Sequence, residues 1–73
     1  MKYAIVIEHV PGSNYSAYAP DLPGCVATGD TIEETTRLME EAIEFHMEGM
    51  RLQGETIPEP TTLVAYAEVP KVA

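Results

Sequence analysis

The sequence lacks most of what small proteins use to reinforce a fold. Cys25 is its single cysteine, so no disulfide can close within the chain. Its two histidines, His9 and His46, do not join Cys25 in any zinc-ligand spacing. Cations are scarce: four Lys/Arg face twelve Asp/Glu, a formal charge of -8. Such a surface repels phosphate backbones, which argues against direct nucleic-acid binding and makes a basic protein the natural partner to propose; net charge that keeps a small protein soluble is the simpler explanation. The apolar run Tyr3–Ile7 is far too short to cross a membrane. The first residues also lack the layout of a signal peptide, so the expectation is a cytoplasmic protein with Cys25 reduced. There is no phosphate loop, no GxSxG and no HExxH, so no catalytic motif, metal or cofactor is expected.

What is present is a chain of 73 residues with 45% hydrophobic content, enough for one packed domain over 1–73. A core of this size rarely leaves more than roughly 3–5 kcal/mol of net stability. With no disulfide or metal to add to it, self-association as a dimer or higher oligomer is the expected reinforcement.

Tyr3–Glu8 alternates as a strand, with Tyr3, Ile5 and Ile7 on one face. Val6 makes the other face partly apolar, which suggests a central strand. Pro11-Gly12-Ser13-Asn14 is a turn, and Tyr15–Ala19 completes a hairpin. Pro20 stops pairing because it has no N–H, Gly24 is free to take positive φ, and Cys25–Thr28 is a short third strand. Thr31-Ile32-Glu33-Glu34 fits a capping box at the start of a long helix that ends at Gly54. Ile32, Thr35, Met39, Ala42, Ile43, His46 and Met50 form its core stripe. Thr62–Val69 reads as a last strand. The expected fold is α+β, in the order β-β-β-α-β: an antiparallel-rich sheet with one long helix packed on one face.

Two further features of the helix bear on function. Leu38, Phe45 and Leu52 repeat every seven residues beside the core stripe. They are candidates for self-association, because an apolar patch left outside a core usually marks a contact surface; a wide face buried within the domain is the plainer explanation. Glu40, Glu44 and Glu48 form a ladder of like charge on the outer face, each pair costing a few tenths of a kcal/mol. A solvated face explains it most simply, and a docking ridge for a basic partner is the functional alternative.

Catalytic arrangements are weaker. Cys25 as nucleophile with His46 as base competes with an inert buried thiol and a packed core histidine. No spacing supports a metal site built from His9, Asp21 and His46. The tyrosines Tyr3, Tyr15, Tyr18 and Tyr66 have no basic residues around them to form a base-stacking surface.

The run Tyr18-Ala19-Pro20-Asp21-Leu22-Pro23-Gly24-Cys25, followed by Gly29-Asp30-Thr31 and Glu33-Glu34, resembles the HicB-type antitoxins. Glu41-Ala42-Ile43, His46, Gly49, Gly54-Glu55, Ile57-Pro58 and Pro60 continue the similarity, which covers about Met1 to Val69. The resemblance implies a partial ribonuclease H-like module that neutralises a small basic mRNA-cleaving toxin of the HicA type by covering its active site. Family members often add a DNA-binding segment. Here the chain stops just after the last strand, so a stand-alone module without that segment is expected. An oligomeric module with another protein partner is the alternative. A metal-dependent nuclease would need carboxylates converging from central strands, and only Glu8 and Glu68 lie on strands.

Overall fold

The computed structural model describes residues 1–72. Three strands are followed by one helix: β1 Val6–His9, β2 Tyr15–Tyr18, β3 Val26–Gly29 and α1 Ile32–Leu52. The strands form an antiparallel sheet in the order β1-β2-β3, with Val6 opposite Tyr18 and Tyr18 opposite Val26. The α+β expectation holds; β2, β3 and α1 fall within a residue or two of where the sequence placed them, whereas β1 begins at Val6 and not at Tyr3.

Each connection follows from local chemistry. Gly12 takes φ 79° in the β1–β2 turn, and the Ser13 N–H donates to the Val10 carbonyl at 2.9 Å. Gly24 takes φ 87° in the β2–β3 turn, where the Cys25 N–H donates to Leu22 and the Ala19 N–H to Cys25. Gly29 serves a different need. A Cβ there would lie 2.6 Å from Thr35 Oγ1 and 3.0 Å from the Thr35 nitrogen, so its bare backbone lets β3 touch the first helical turn.

Thr31 caps α1: its Oγ1 accepts from the Glu34 N–H at 3.0 Å. Glu34 reaches back to the Asp30 N–H at 2.8 Å, closing a variant of the capping box one residue early. At the far end Gly54 takes φ 73°. The Glu55 N–H donates to Met50 and the Gly54 N–H to Arg51, the paired bonds of a Schellman stop.

The core is small: Ala17, Ala19, Leu22, Cys25 and Met39, with Tyr3, Ile5, Ile7, Ala27, Ala42 and Ile43 packed around it. Thr35 is fully buried as well, its hydroxyl donating to the Thr31 carbonyl at 2.7 Å. The 21 residues of α1 span about 31 Å at 1.5 Å per residue, whereas a four-residue strand spans about 13 Å. The helix therefore overhangs the sheet. Of its expected core stripe, Thr35 and Met39 are buried, Ala42, Ile43, His46 and Met50 only half-buried, and Ile32 half exposed.

Two expectations are corrected. Thr62–Val69 forms no strand; it has no regular secondary structure and no ladder partners, and Leu63, Val64, Tyr66 and Val69 are exposed. Without that fourth strand β1 is an edge and β2 is central. The apolar pattern of Thr62–Val69 is strand-like, but a strand exists only where a second edge pairs with it. The unpaired segment lengthens the molecule to 54 × 26 × 16 Å, and its radius of gyration is 14.7 Å against roughly 11 Å for a compact chain of this length.

Candidate protein-binding surface

Helix α1 packs on β3 and β2 and leaves β1 to one side. Between β1's leading segment and the helix lies an open groove of ≈ 500 Å³. Tyr3, Ile5, Met39, Ile43 and Met47 give it an apolar floor, and Glu40 and Glu44 stand on its rim. On the overhanging part of α1, Glu44 and Glu48 flank a second, shallower hollow that includes Phe45 and Arg51. Phe45 is 83% exposed.

The acidic ladder is thus a continuous exposed ridge: Glu40, Glu44 and Glu48 are all open to solvent. Arg51 pairs with Glu48 at 2.9 Å, the sole ion pair among the described residues, which leaves Glu40 and Glu44 uncompensated. Arg37 forms no ion pair with Glu33 or Glu41. The apolar heptad positions divide. Leu38 is half-buried, whereas Phe45 and Leu52 are exposed because they lie beyond the end of the sheet.

The residues weighed for chemistry do not assemble. Cys25 is in the core, and burial pushes its thiol up, away from the thiolate a nucleophile needs. His46 is half-buried on α1. His9, at the end of β1, stacks on Tyr15 with ring centroids 4.3 Å apart. Among the described residues, no three His, Cys, Asp or Glu side chains are grouped to hold a metal ion. Glu8 lies on the edge strand and Glu68 in the unpaired tail, so the two strand acids do not converge.

Asp21 has a role that sequence reasoning missed. Its carboxylate accepts from the Thr61 and Thr62 N–H groups at 2.9 and 3.0 Å, and from the Thr62 and Thr61 hydroxyls at 2.7 and 3.2 Å. These bonds, the Thr62 N–H and hydroxyl foremost, hold its pKa down at about 2. The Tyr3 hydroxyl donates to the Pro58 carbonyl nearby. Together they bind the chain after α1 to the end of the sheet where β1 begins and β2 turns into β3. Two adjacent threonines after a proline were the only signal, and nothing local ties them to an aspartate forty residues earlier.

The fold, the acidic ridge and the Asp21 turn all lie within one match to known proteins. The family described as HicB_like antitoxin of bacterial toxin-antitoxin system matches residues 3–73. The chain belongs to this family. Among curated relatives it is 39% identical over 71 residues to an uncharacterized 14.9 kDa protein of Haemophilus phage HP1. That match takes in 97% of this chain and 53% of the phage protein, so the chain spans about half the length of that relative. It is also 32% identical over 62 residues to a UPF0150 protein of Synechocystis, covering 85% of this chain and 78% of that protein. A UPF0150 protein of Archaeoglobus fulgidus is 40% identical over 48 residues, covering 66% of this chain and 70% of the relative. No helix among the described residues is long and apolar enough to cross a membrane.

Proposed function

We propose that this HicB-like chain neutralises a small basic mRNA-cleaving toxin of the HicA type, binding it along α1 and covering its active site. The observation that carries the reading is Phe45, exposed between Glu44 and Glu48, with Glu40 one turn further back. An aromatic anchor beside exposed carboxylates, of which Glu40 and Glu44 are uncompensated, suits a basic protein surface: the ring supplies buried area and the charges steer the encounter. A polyanion would be repelled by the same face. In this reading the chain acts by occlusion and needs no catalytic group of its own.

Co-expression with the small basic proteins encoded beside it tests the proposal. The wild-type chain should co-purify with one of them and suppress its RNA cleavage. Glu44→Lys and Glu48→Lys together should abolish both effects while the helical signal stays intact. Failure of every neighbouring basic protein to bind would remove the antitoxin role.

A second reading is a binding module for a different protein, with no toxin involved. The exposure of Phe45 and Leu52 favours it, since an apolar contact does not require a basic partner. There Phe45→Glu would abolish capture while Glu44→Lys would not. For self-association, the helix stripe offers only Phe45 and Leu52 fully, with Leu38 half-covered.

A further inference from the structure

The chain carries an unpaired segment of strand-like composition and, in β1, an unpaired sheet edge. The segment Leu63–Val69 has no regular secondary structure and exposes its apolar side chains: Leu63 is 93% and Tyr66 94% open to solvent. Its composition, Leu-Val-Ala-Tyr-Ala-Glu-Val, is that of a strand flanked by Thr62 and Pro70. Nothing in its own body covers it. Meanwhile β1 is the sheet edge that α1 leaves uncovered, and the groove beside it has the apolar floor of Tyr3, Ile5, Ile43 and Met47. An exposed edge of this kind is a template for strand addition. Tyr3–His9, the strand with the three residues leading into it, is seven residues long, and so is Leu63–Val69.

The segment is not placed to fill its own edge. The chain passes Tyr3 at Pro58 and has crossed to the β2–β3 turn by Thr61 and Thr62, where Asp21 holds it. To reach β1 of the same copy it would have to give up these bonds and double back past Tyr3. A second copy presents the identical edge without that reversal.

We propose that Leu63–Val69 is an exchanged strand: it adds to the β1 edge of a second copy, and its apolar side chains cover that copy's groove between the segment leading into β1 and α1. Exchange is mutual, so each copy gives one strand and receives one, a closed two-fold dimer. The exchange supplies the fourth strand that the apolar pattern asks for and the buried area that a 73-residue core lacks. Asp21 sets the point at which the strand leaves the body. The dimer does not depend on the toxin reading: it uses backbone groups of β1, whereas the toxin reading uses side chains on the outer face of α1.

Light scattering on the purified full chain tests the proposal. The wild type should weigh near 16 kDa, twice the 8.0 kDa of the chain. Successive N–H groups of a strand point to opposite sides, so the double substitution Ala65→Pro, Tyr66→Pro removes a ladder donor whichever side pairs. This variant should be monomeric with an unchanged helical signal, because neither residue touches the body. Phe45→Glu should remain a dimer. In hydrogen exchange, the amides of residues 63–69 should be protected in the dimer and lose protection in the proline variant. A monomeric wild type, or a dimer that survives both prolines, overturns the exchange. The toxin reading stands or falls separately, since the proline variant should still capture a basic partner along α1.

Discussion

The two halves of this molecule use similar residues to opposite ends. From Val6 to Leu52 apolar side chains build a core around Met39, with Phe45 and Leu52 among those left outside it, and local contacts hold the chain: Thr31 to Glu34, Thr35 to Thr31, Gly29 against Thr35. From Leu63 to Val72 the chain is at least as rich in apolar residues, yet none is buried. Composition alone does not separate them. What separates them is whether a partner lies within reach: Met39 meets the sheet across one connection, whereas Leu63 follows directly on the Asp21 bonds, which hold the chain away from the free β1 edge of its own copy. The joint between the halves is one carboxylate, Asp21, with the Tyr3 hydroxyl beside it.

Substitutions that shrink the body should have the largest effects. Met39 is fully buried at the centre of the core, and truncation of such a side chain typically costs 2–5 kcal/mol, about the whole stability of a domain this small. Met39→Ala should therefore be largely unfolded in urea titration at ambient temperature, while Leu63→Ala leaves the titration of dilute monomer unchanged. A Met39→Ala chain as stable as wild type would mean that the exchanged strand, and not the local core, holds the body together.

Gly29→Ala comes next. The added methyl would overlap Thr35 Oγ1 and press on the Thr35 nitrogen, so β3 and α1 must part or Thr35 must give up its bond to Thr31. Overpacking of this kind costs about 1–3 kcal/mol. Pairing it with Thr35→Ala, which removes the nearer obstacle, should recover part of the loss, and a double-mutant cycle measures how much.

A smaller effect is expected at the cap. Thr31→Ala removes the acceptor of the Glu34 N–H and should cost about 1 kcal/mol. Thr31→Ser should restore it. Thermal melts followed by helical signal would separate the two.

The body was legible in the sequence because its signals are short-range. A Thr three residues ahead of a Glu, a Gly at the end of a periodic run and a Pro at the end of an alternating one each act through bonds within a few residues. The family resemblance was legible for the same reason, since its marker is the Pro20–Cys25 turn. The pairing of Thr62–Val69 was not. Alternation shows that a segment suits a sheet, but which edge it meets, and in which copy, is decided by distant geometry. The same gap misplaced β1 as a central strand: Val6 is half-buried on a sheet of only three strands, with β2 alone as its neighbour. On the surface, Glu40, Glu44 and Glu48 were recognisable from their spacing, whereas the split of Leu38 from Phe45 and Leu52 depends on where the sheet ends beneath the helix.

The most local effect should come from acid, and it acts at the joint alone. Asp21 is held at about 2 in the folded chain, below the ordinary carboxylate value of 3.8, because its bonds to Thr61 and Thr62 favour the charged form. A lowered folded value means that the stabilisation is fully present above about pH 4 and is lost as pH falls toward 2. Over that window the Thr61 and Thr62 amides should lose their protection from hydrogen exchange before Ala17 or Met39 do. Asp21→Asn, which keeps an acceptor oxygen but not the charge, should show faster exchange at the two threonines already at neutral pH and should flatten the acid dependence there. If the threonine amides of wild type and Asp21→Asn exchange alike at every pH, Asp21 does not fasten the tail. The exit point of the exchanged strand would then have to be set by Tyr3 and Pro58 instead.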